Sequence, residues 1–522
     1  MRSFFGVNFW ELCFRGVASG CATAKRFYFF SLSLSFVFWC SIVFSNEHNF
    51  VAQELAEPNS TSSETKVKAQ NNNSKNNDSK NDESKGNDSK EVLLKDFDVH
   101  DLEALSLKEL INIPLNSDYS HHTIHQPSDN KISDSSFNFG ILAPISEFPG
   151  YAAEIIAAAD SAAAYINQNG GVNGRRLVIL RADDKENTQV SAKLAHQLIT
   201  DYKVKAIIGP ATSSSVASVL EQVTIPRKVP LISQAASSVA LSKFSGGQWF
   251  WRMVANNNQQ IDLITNFLHK RKGHSKIFLF TGRDLYGQEI AEGLADYFRI
   301  LENGFIDQVN LSNLVQLADM TLKDEIESIQ SEGVSAIVVT LVNSQVRHLL
   351  KKISQHWEGK FPTILVGDTV TPNYLEEADV GTIRSCVFSY VGTANDFSHS
   401  LRADITQAIQ TFPTGFDGAY VYDATIILAM GFKLSNKFNI PVGEAISAIA
   451  SDGFMIQTSD YANISDIFEK HKTLQFTGVS GRVWFDAKGD NLTAFSRIYA
   501  VGKNSEDTQN NCMSGSVNSV KK

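Results

Sequence analysis

The chain has 522 residues, with 47 Lys and Arg against 56 Asp and Glu, a formal net charge of −9, and 43% hydrophobic residues. This length accommodates two or three domains with sizeable cores, and the composition is typical of globular proteins. The negative charge and the scattered basic residues argue against a nucleic-acid-binding protein, because contacts to phosphates require a basic surface.

The first 45 residues are predicted to be a targeting segment. Lys25 and Arg26 precede the uncharged, apolar stretch Phe27–Phe44, which is the order found in export signals. The length of this stretch lies between that of a signal core and that of a spanning helix. Two interpretations therefore stay open: a signal peptide cleaved before Asn46, or an anchor that tethers the protein to a membrane.

Residues 46–135 are predicted to be a disordered linker rich in Asn, Ser and Lys. The run at 71–90, NNNSKNNDSKNDESKGNDSK, contains no large apolar side chain. Such a segment cannot offset the entropy of ordering by burial, so it is predicted to be a flexible tether. The histidines of SHHTIHQ, at positions 121, 122 and 125, have linker-like neighbours and no Cys or acidic cluster beside them, so we predict no metal site.

A short helix over 100–113 interrupts the predicted linker. Apolar residues recur there at helical spacing, and Pro114 ends the pattern. The helix either packs on the main domain, lies free, or serves as a docking peptide for a partner in the cell envelope.

From Phe137 onwards, predicted strands alternate with predicted helices. The strands are predicted at 137–143, 176–182, 204–209, 229–233, 276–280, 305–311, 335–340 and 362–367. The helices are predicted at 150–168, 189–201, 213–224, 257–271, 286–300, 320–331 and 344–357. This alternation predicts an α/β fold with parallel sheets covered on both faces, and the extended segment 249–254 divides it into two Rossmann-like lobes.

Clusters of small polar residues follow two strands of the first predicted lobe. Ser213 and Ser214 open a helix, while Ala235 and Ser237 follow the next strand, at the edge where open parallel sheets bind ligands. Hydroxyls and free N–H groups at a helix start suit an anion such as a carboxylate. The plainer interpretation is that Ser213 or Thr212 only caps the helix.

In the second predicted lobe, two residues also lie where a strand ends or in the loop that follows a strand. Asp368 ends a strand and suits an ammonium group across a cleft, or else it only begins the next turn. Tyr286 either covers the apolar part of a ligand or packs at a helix start. The chain contains no dinucleotide fingerprint, phosphate loop, zinc-protease motif or hydrolase nucleophile motif, so we predict no enzyme and no cofactor.

The five cysteines do not form a disulfide scaffold. Cys13, Cys21 and Cys40 lie in the targeting segment, so Cys386 and Cys512 are the two that cleavage would leave. A bond between these two is one possibility.

Six ordered stretches carry a resemblance to a known family: AAAYINQNGGVNGRRLVILRADD (162–184), IIGPATSSSVASV (207–219), VPLISQAASS (229–238), DLYGQEIAEGL (284–294), FDGAYVYDATIILA (416–429) and TGVSGRVWFDAKGD (477–490). They are similar to the type I periplasmic solute-binding proteins of branched-chain amino acid uptake systems. The resemblance covers residues 137–503.

The resemblance implies two lobes that close on a ligand by a hinge, and docking of the loaded protein on the membrane permease of an ABC importer. It implies lobe 1 at 136–252 and 390–478, lobe 2 at 253–389 and 479–503, a polar tail at 504–522, and hinge segments near 251–256, 388–392 and 478–483. By this resemblance, Ser213 would meet the ligand carboxylate, and Ala235 and Ser237 would flank the carboxylate and the ammonium. Asp368 would take the ammonium, and Phe148 would stack on the ligand.

The chain also departs from the family. Thr212 stands where the family has a cysteine, Leu341 and its neighbours replace an expected aromatic residue, and Asp368 is shorter than the usual acidic residue. These departures predict a ligand other than a leucine-like amino acid. The leading interpretation is a periplasmic protein that delivers an amino acid or small carboxylate to an importer. The alternative is a sensory receptor with the same fold, tethered through Phe27–Phe44.

Overall fold

The computed structural model describes residues 124–125, 135–244, 248–301, 304–310, 322–341, 343–367, 370, 375, 380–392, 417–501 and 512–513. The targeting segment, the helix predicted over 100–113 and Asp368 lie outside the described residues. All described residues belong to one unit of the chain, Lys90–Lys522.

The first lobe is built on a six-stranded sheet. Its strands are β1 (Ile124–His125), β2 (Phe137–Ala143), β3 (Leu177–Asp183), β4 (Ala206–Ile208), β5 (Leu231–Ser233) and β6 (Phe250–Arg252), in the order β1-β3-β2-β4-β5-β6. All pairs are parallel except that β1 runs antiparallel to β3. These strands are short runs of Ile, Leu, Val and Phe, which is the composition of strands that are buried on both faces.

Helices cover both faces of the first sheet. They are α1 (Pro149–Gln168), α2 (Thr188–Thr200) and α3 (Ser213–Val219), and α3 continues through a wider π-type turn at Leu220–Thr224. Asn187 caps α2 by accepting from the backbone N–H groups of Gln189 and Val190. Beyond the end of α1, Gly171 has φ +64°, and a Cβ there would lie 2.1 Å from the carbonyl oxygen of Arg175, so the turn requires glycine.

The second lobe repeats this plan. Its strands are β7 (Lys276–Thr281), β8 (Phe305–Asn310), β9 (Ala336–Thr340), β10 (Thr363–Val366), β11 (Val387–Gly392) and, late in the chain, β15 (Ser496–Ala500). The order is β15-β11-β10-β9-β7-β8, with β15 antiparallel and the others parallel. Its helices are α4 (Asn257–Thr265), α5 (Leu285–Arg299), α6 (Lys323–Ser331) and α7 (Asn343–His356).

The first lobe is completed by residues that come after the second lobe in the chain. Helix α8 (Asp417–Phe438) packs on α1, followed by α9 (Val442–Ile449), α10 (Ile464–His471) and a small sheet of β12 (Phe454–Gln457), β13 (Leu474–Gly478) and β14 (Gly481–Arg482). The side chains of α8 are buried from Gly418 through Gly431, because the helix lies between α1, α9 and α10.

The elements that the structure describes therefore pass from one lobe to the other at three places along the chain. The first crossing lies at 253–256, between β6 and α4. All of β11, which includes the segment expected near 388–392, belongs to the second sheet, and the next described element, α8, belongs to the first lobe. Because β14 pairs with β13 in the first lobe, the third crossing lies between Arg482 and Ser496, later than expected.

The predicted fold class is confirmed: two lobes, each with a largely parallel sheet between helices. A disulfide joins Cys386 to Cys512 and attaches the end of the described chain to the second lobe. Within the described part of the chain, no helix is long and apolar enough to cross a bilayer. The same residues contain no group of three or more potential metal ligands, and His125 lies in β1.

Candidate functional site

The two serine clusters meet at the carboxyl edge of the first sheet. Strands β4 and β5 are parallel neighbours, with Ile208 beside Ile232, so the turns that follow them emerge side by side. The backbone N–H of Ser238 donates to Ser213 Oγ at 3.1 Å and joins the two turns directly. The structure thus brings together residues that are 25 positions apart in the sequence.

Ser213 is buried yet keeps a proton to donate. Its side chain is 3% exposed, and among the described residues no group accepts its hydroxyl proton. Thr212, at the cap position of α3, makes no side-chain capping hydrogen bond, so the helix start is not closed by that residue. Ser214 is half-buried, and its Oγ accepts from the backbone N–H of Leu285 at 3.3 Å. Leu285 begins α5, so this contact crosses from one lobe to the other.

The second turn is held from within by Ser233. Its hydroxyl donates to the carbonyl oxygen of Pro210 at 2.9 Å and accepts from the backbone N–H of Ala236 at 3.0 Å. Ala235 is half-buried at the front of this turn, while Ser237 is 2% exposed and its carbonyl oxygen accepts from the Asn257 N–H at 2.8 Å. Ala235 and Ser237 therefore lie next to Ser213, as the sequence predicted for a shared edge.

Phe148 lies at the same edge, after β2. It precedes α1, its backbone N–H donates to the Pro144 carbonyl oxygen, and its side chain is half-buried. Because β2 pairs with β4 in parallel, the loop of Phe148 and the turn of Ser213 emerge on one side of the sheet.

Tyr286 is placed differently. Its side chain is 7% exposed in the core of the second lobe, and its hydroxyl oxygen lies 2.5 Å from that of Tyr390. A Cβ on Gly367 would lie 2.7 Å from the same hydroxyl, so the ring passes under the end of β10. This is the packing position considered as the alternative for Tyr286. A ligand contact of Tyr286, like any role of the undescribed Asp368, stays a prediction.

An acidic rim lines the loops around this edge. Burial raises the pKa of Asp184 to about 6. Burial also raises the pKa of Glu186 to about 8, with further contributions from Asp184, Asp284 of the second lobe and Glu147. Asp284 of the second lobe thus adds to the effect of carboxyls of the first lobe on Glu186, and this group of carboxyls favours a positively charged neighbour. This rim was not expected from the sequence, although DDKE at 183–186 follows a predicted strand.

Glu289 is a second residue of this region that was not expected from the sequence. From α5 in the second lobe, its carboxylate accepts hydrogen bonds from the turn that follows Ser237 in the first lobe. No local pattern marks it, because its partners lie 49 to 51 residues earlier in the chain.

A buried ion pair holds the first and third crossings together. Arg252 is 0% exposed and donates from Nε to Asp490 Oδ1 at 2.8 Å. Burial lowers the pKa of Arg252, and Asp490 counteracts that effect. Ser242 donates to Asp490 as well, so the carboxylate is satisfied on both oxygens.

Comparison with known proteins agrees with this architecture. The family model described as periplasmic binding protein matches residues 136–491. The chain is 22% identical over 330 residues to the Leu/Ile/Val-binding protein BraC3 of Rhizobium johnstonii, covering 63% of this chain and 87% of that protein. It is 23% identical over 372 residues to BasB of Halobacterium salinarum, described as a chemotactic signal transduction system substrate-binding protein, covering 68% and 85%.

A plant receptor matches over a smaller share of its length. Glutamate receptor 2.4 of Arabidopsis thaliana is 23% identical over 321 residues, which is 59% of this chain but 34% of the receptor.

Solved structures share the fold. The substrate-binding protein LivJ of Streptococcus pneumoniae, solved with isoleucine, has a TM-score of 0.54 at 18% identity, covering 70% of this chain and 100% of that one. The leucine-binding protein LivK of Thermotoga maritima has a TM-score of 0.56 at 16% identity, covering 68% and 93%.

Proposed function

Because the chain belongs to the periplasmic binding protein family, among the type I proteins of the branched-chain amino acid group, we propose that it is an extracytoplasmic solute-binding protein. It captures an amino acid or a related small carboxylate between its lobes and delivers it to the membrane permease of an ABC importer. One observation carries this proposal: the serine turns meet at Ser213 and Ser238, opposite the start of α5 in the other lobe.

The carboxylate of the ligand is assigned to the first lobe. The Ser213 hydroxyl has a proton to donate, and the turn at Ala235 brings little bulk to the same edge. Hydrogen bonds to an ionised acceptor are stronger than those between neutral groups, and burial excludes competing water. Phe148, in the neighbouring loop, supplies an aromatic surface for the rest of the ligand.

The ammonium group is assigned to the acidic side of the cleft. Asp368 is the partner expected from the family resemblance, and the rim formed by Glu147, Asp184, Glu186 and Asp284 supports a positive charge on the ligand. A zwitterion enters a water-poor cleft without a large penalty only when both of its charges find partners. An amino acid satisfies both sets of groups, whereas a simple carboxylate satisfies one.

In this proposal the chain binds and releases its ligand unchanged and uses no cofactor. The relatives named above are described as binding proteins or receptors rather than enzymes. The disulfide between Cys386 and Cys512 supports a location outside the cytoplasm, because such bonds form and persist in oxidising compartments.

The first experiment measures thermal unfolding and calorimetric binding of the full chain with a panel of amino acids and small carboxylates. A ligand at about 100 times its dissociation constant should add roughly 2.7 kcal/mol to the free energy of unfolding. The double variant Ser213→Ala, Asp368→Ala should lose this binding and keep its fold, while Ser331→Ala, at an exposed position of α6, should bind normally. Full affinity in the double variant would overturn the assignment of the site.

A sensory role is the second candidate. The similarity to BasB and to a plant glutamate receptor favours it, since the first is described as part of a signal transduction system and the second as a receptor. The mass of the mature N-terminus separates the two candidates. An intact Phe27–Phe44 segment favours a tethered receptor, whereas a new N-terminus at Asn46 favours a released binding protein.

A further inference from the structure

Ser238 makes contacts through three different groups, two within the first lobe and one to the second lobe. Its backbone N–H donates to Ser213 Oγ at 3.1 Å, and its carbonyl oxygen accepts from Arg252 Nη1 at 2.7 Å. Its hydroxyl donates to Glu289 Oε1 at 2.6 Å. One residue therefore contacts the ligand-binding serine, the first crossing between the lobes, and a carboxylate of the second lobe.

Glu289 holds this turn by its N–H groups. Besides the Ser238 hydroxyl, it accepts from the backbone N–H of Val239 at 2.7 Å and of Ala240 at 2.9 Å. Asn257 of the second lobe donates to Oε2 at 2.8 Å and keeps the carboxylate aligned from its own side. Three hydrogen bonds thus run from the first lobe to one carboxylate of the second lobe.

On its opposite side, the turn is bound by Arg252 through the carbonyl groups of the turn. Arg252 donates to the carbonyl oxygens of Ala236 and Ser238, so the turn lies between a guanidinium that binds its carbonyls and a carboxylate that binds its N–H groups. Charge-assisted hydrogen bonds of this kind are roughly twice as strong as neutral ones. The Glu289 contacts cross from one lobe to the other. If the cleft opens so that α5 moves away from the turn, these contacts break.

We propose that Glu289 is a positioning residue that couples closure of the lobes to Ser213 through Ser238. The proposal rests on the binding function proposed above, and it extends that function to a residue that does not contact the ligand. Closure brings Glu289 to the turn, Glu289 orders Ser238, and Ser238 orients Ser213 toward the ligand. Bonds that form on closure raise the closed population and so increase the apparent affinity.

The test compares Glu289→Gln with Glu292→Gln, an exposed glutamate one turn further along α5. Glutamine keeps one acceptor oxygen and places an NH₂ group at the other oxygen's position, so the donors on that side lose their acceptor. Distance measurements between labels at Lys203 and Ile300, which are exposed on different lobes, report the opening of the full chain without added ligand. We expect a shift toward the open distance in Glu289→Gln and none in Glu292→Gln.

A kinetic measurement separates positioning from a role in folding alone. For the amino acid that binds in the panel, Glu289→Gln should raise the dissociation rate constant about ten-fold, with little change in the association rate constant. Ser238→Ala should shift both readouts in the same direction, and it should have a smaller effect when combined with Glu289→Gln. If Glu289→Gln does not fold, as judged by circular dichroism, Ser238→Ala decides.

Unchanged opening and unchanged dissociation in the folded variants would overturn the proposal. If no compound of the panel binds to the wild-type chain, the proposed function fails, and the distance measurement alone then decides the role of Glu289. A shifted distance would support the coupling, and an identical distance in both variants would refute it.

Discussion

Arg252 and Asp490 form an ion pair that joins two of the three crossings between the lobes. The guanidinium Nε lies 2.8 Å from Asp490 Oδ1, and the Arg252 side chain is 0% exposed. Asn256 also donates to Asp490, and the backbone N–H of Arg252 donates to the Gly489 carbonyl oxygen. The carboxylate thus fixes the arrangement of the crossings on which any hinge motion depends.

Asp490→Ala should destabilise the protein strongly, because it leaves a buried guanidinium without its counter-charge. We expect a loss of about 3–5 kcal/mol in the free energy of unfolding. Chemical denaturation followed by circular dichroism measures it. Asp452→Ala is the matched control, since Asp452 pairs with Arg482 at the surface and is 72% exposed. The control should cost less than about 1 kcal/mol, and equal losses in both variants would contradict the prediction.

His274 should make the protein less stable in mild acid. Its ring is buried, with Nδ1 2.9 Å from Ser335 Oγ and Nε2 2.9 Å from Thr363 Oγ1. Burial lowers its pKa to about 4. The unfolded chain takes up a proton near pH 6.5 and the native ring does not, so stability is lost as the pH falls from about 6.5 to about 4. The full loss is about 3 kcal/mol.

The pH experiment requires a comparison of variants, because buried carboxyls act in the opposite direction. The pKa values of Asp423 and Glu186 are raised to about 7 and about 8, so their contribution to stability falls as the pH rises. We expect the difference in unfolding free energy between wild type and His274→Gln to vary between pH 4 and 6.5, as for a single titrating group. His471→Gln, at an exposed position, serves as the control for the replacement of a histidine by glutamine. If the unfolding free energies of wild type and His274→Gln differed by the same amount at every pH between 4 and 6.5, the prediction would be refuted.

Cys512→Ser should lower stability by removing a covalent link across 126 residues. A bond that closes a loop of this length adds about 5 kcal/mol by restricting the unfolded chain. Cys512 is the better position to change, because it is half-buried, whereas a serine at the fully buried position 386 would place a polar hydroxyl in the core. Reduction of the wild type should cause the same loss and should not affect Cys512→Ser further. An unchanged unfolding midpoint after reduction would exclude a stabilising role.

Gly478→Ala should be destabilising because a buried carboxylate occupies the space of its side chain. A Cβ there would lie 2.1 Å from Asp423 Oδ1. Asp423 cannot easily move, since it accepts from the backbone N–H groups of Val479 and Ser480. We expect a cost of about 1–3 kcal/mol, measured by thermal or chemical unfolding. Gly150→Ala, which meets no atom within 4 Å, should be neutral or slightly stabilising, and a larger loss there would contradict this explanation.

The alternation of strands and helices could be predicted from the sequence, because apolar periodicity is a local property. The strand predicted at 137–143 is found at Phe137–Ala143, and the helix predicted at 344–357 is found at Asn343–His356. The positions of Ser213 and Ala235 at strand ends also followed from the sequence. Because parallel strands present their carboxyl ends on one edge of a sheet, the two clusters were also predicted to lie at the same edge.

Contacts between distant segments depended on the tertiary structure. Glu289 and Ser238, 51 residues apart, meet because two lobes pack against each other, and Arg252 meets Asp490 because the chain crosses between the lobes more than once. Tyr286 lies in the core of the second lobe because its hydroxyl meets that of Tyr390, 104 residues away. Local patterns contain no information about such pairs, since the order of strands in a sheet and the packing of the lobes decide which side chains meet.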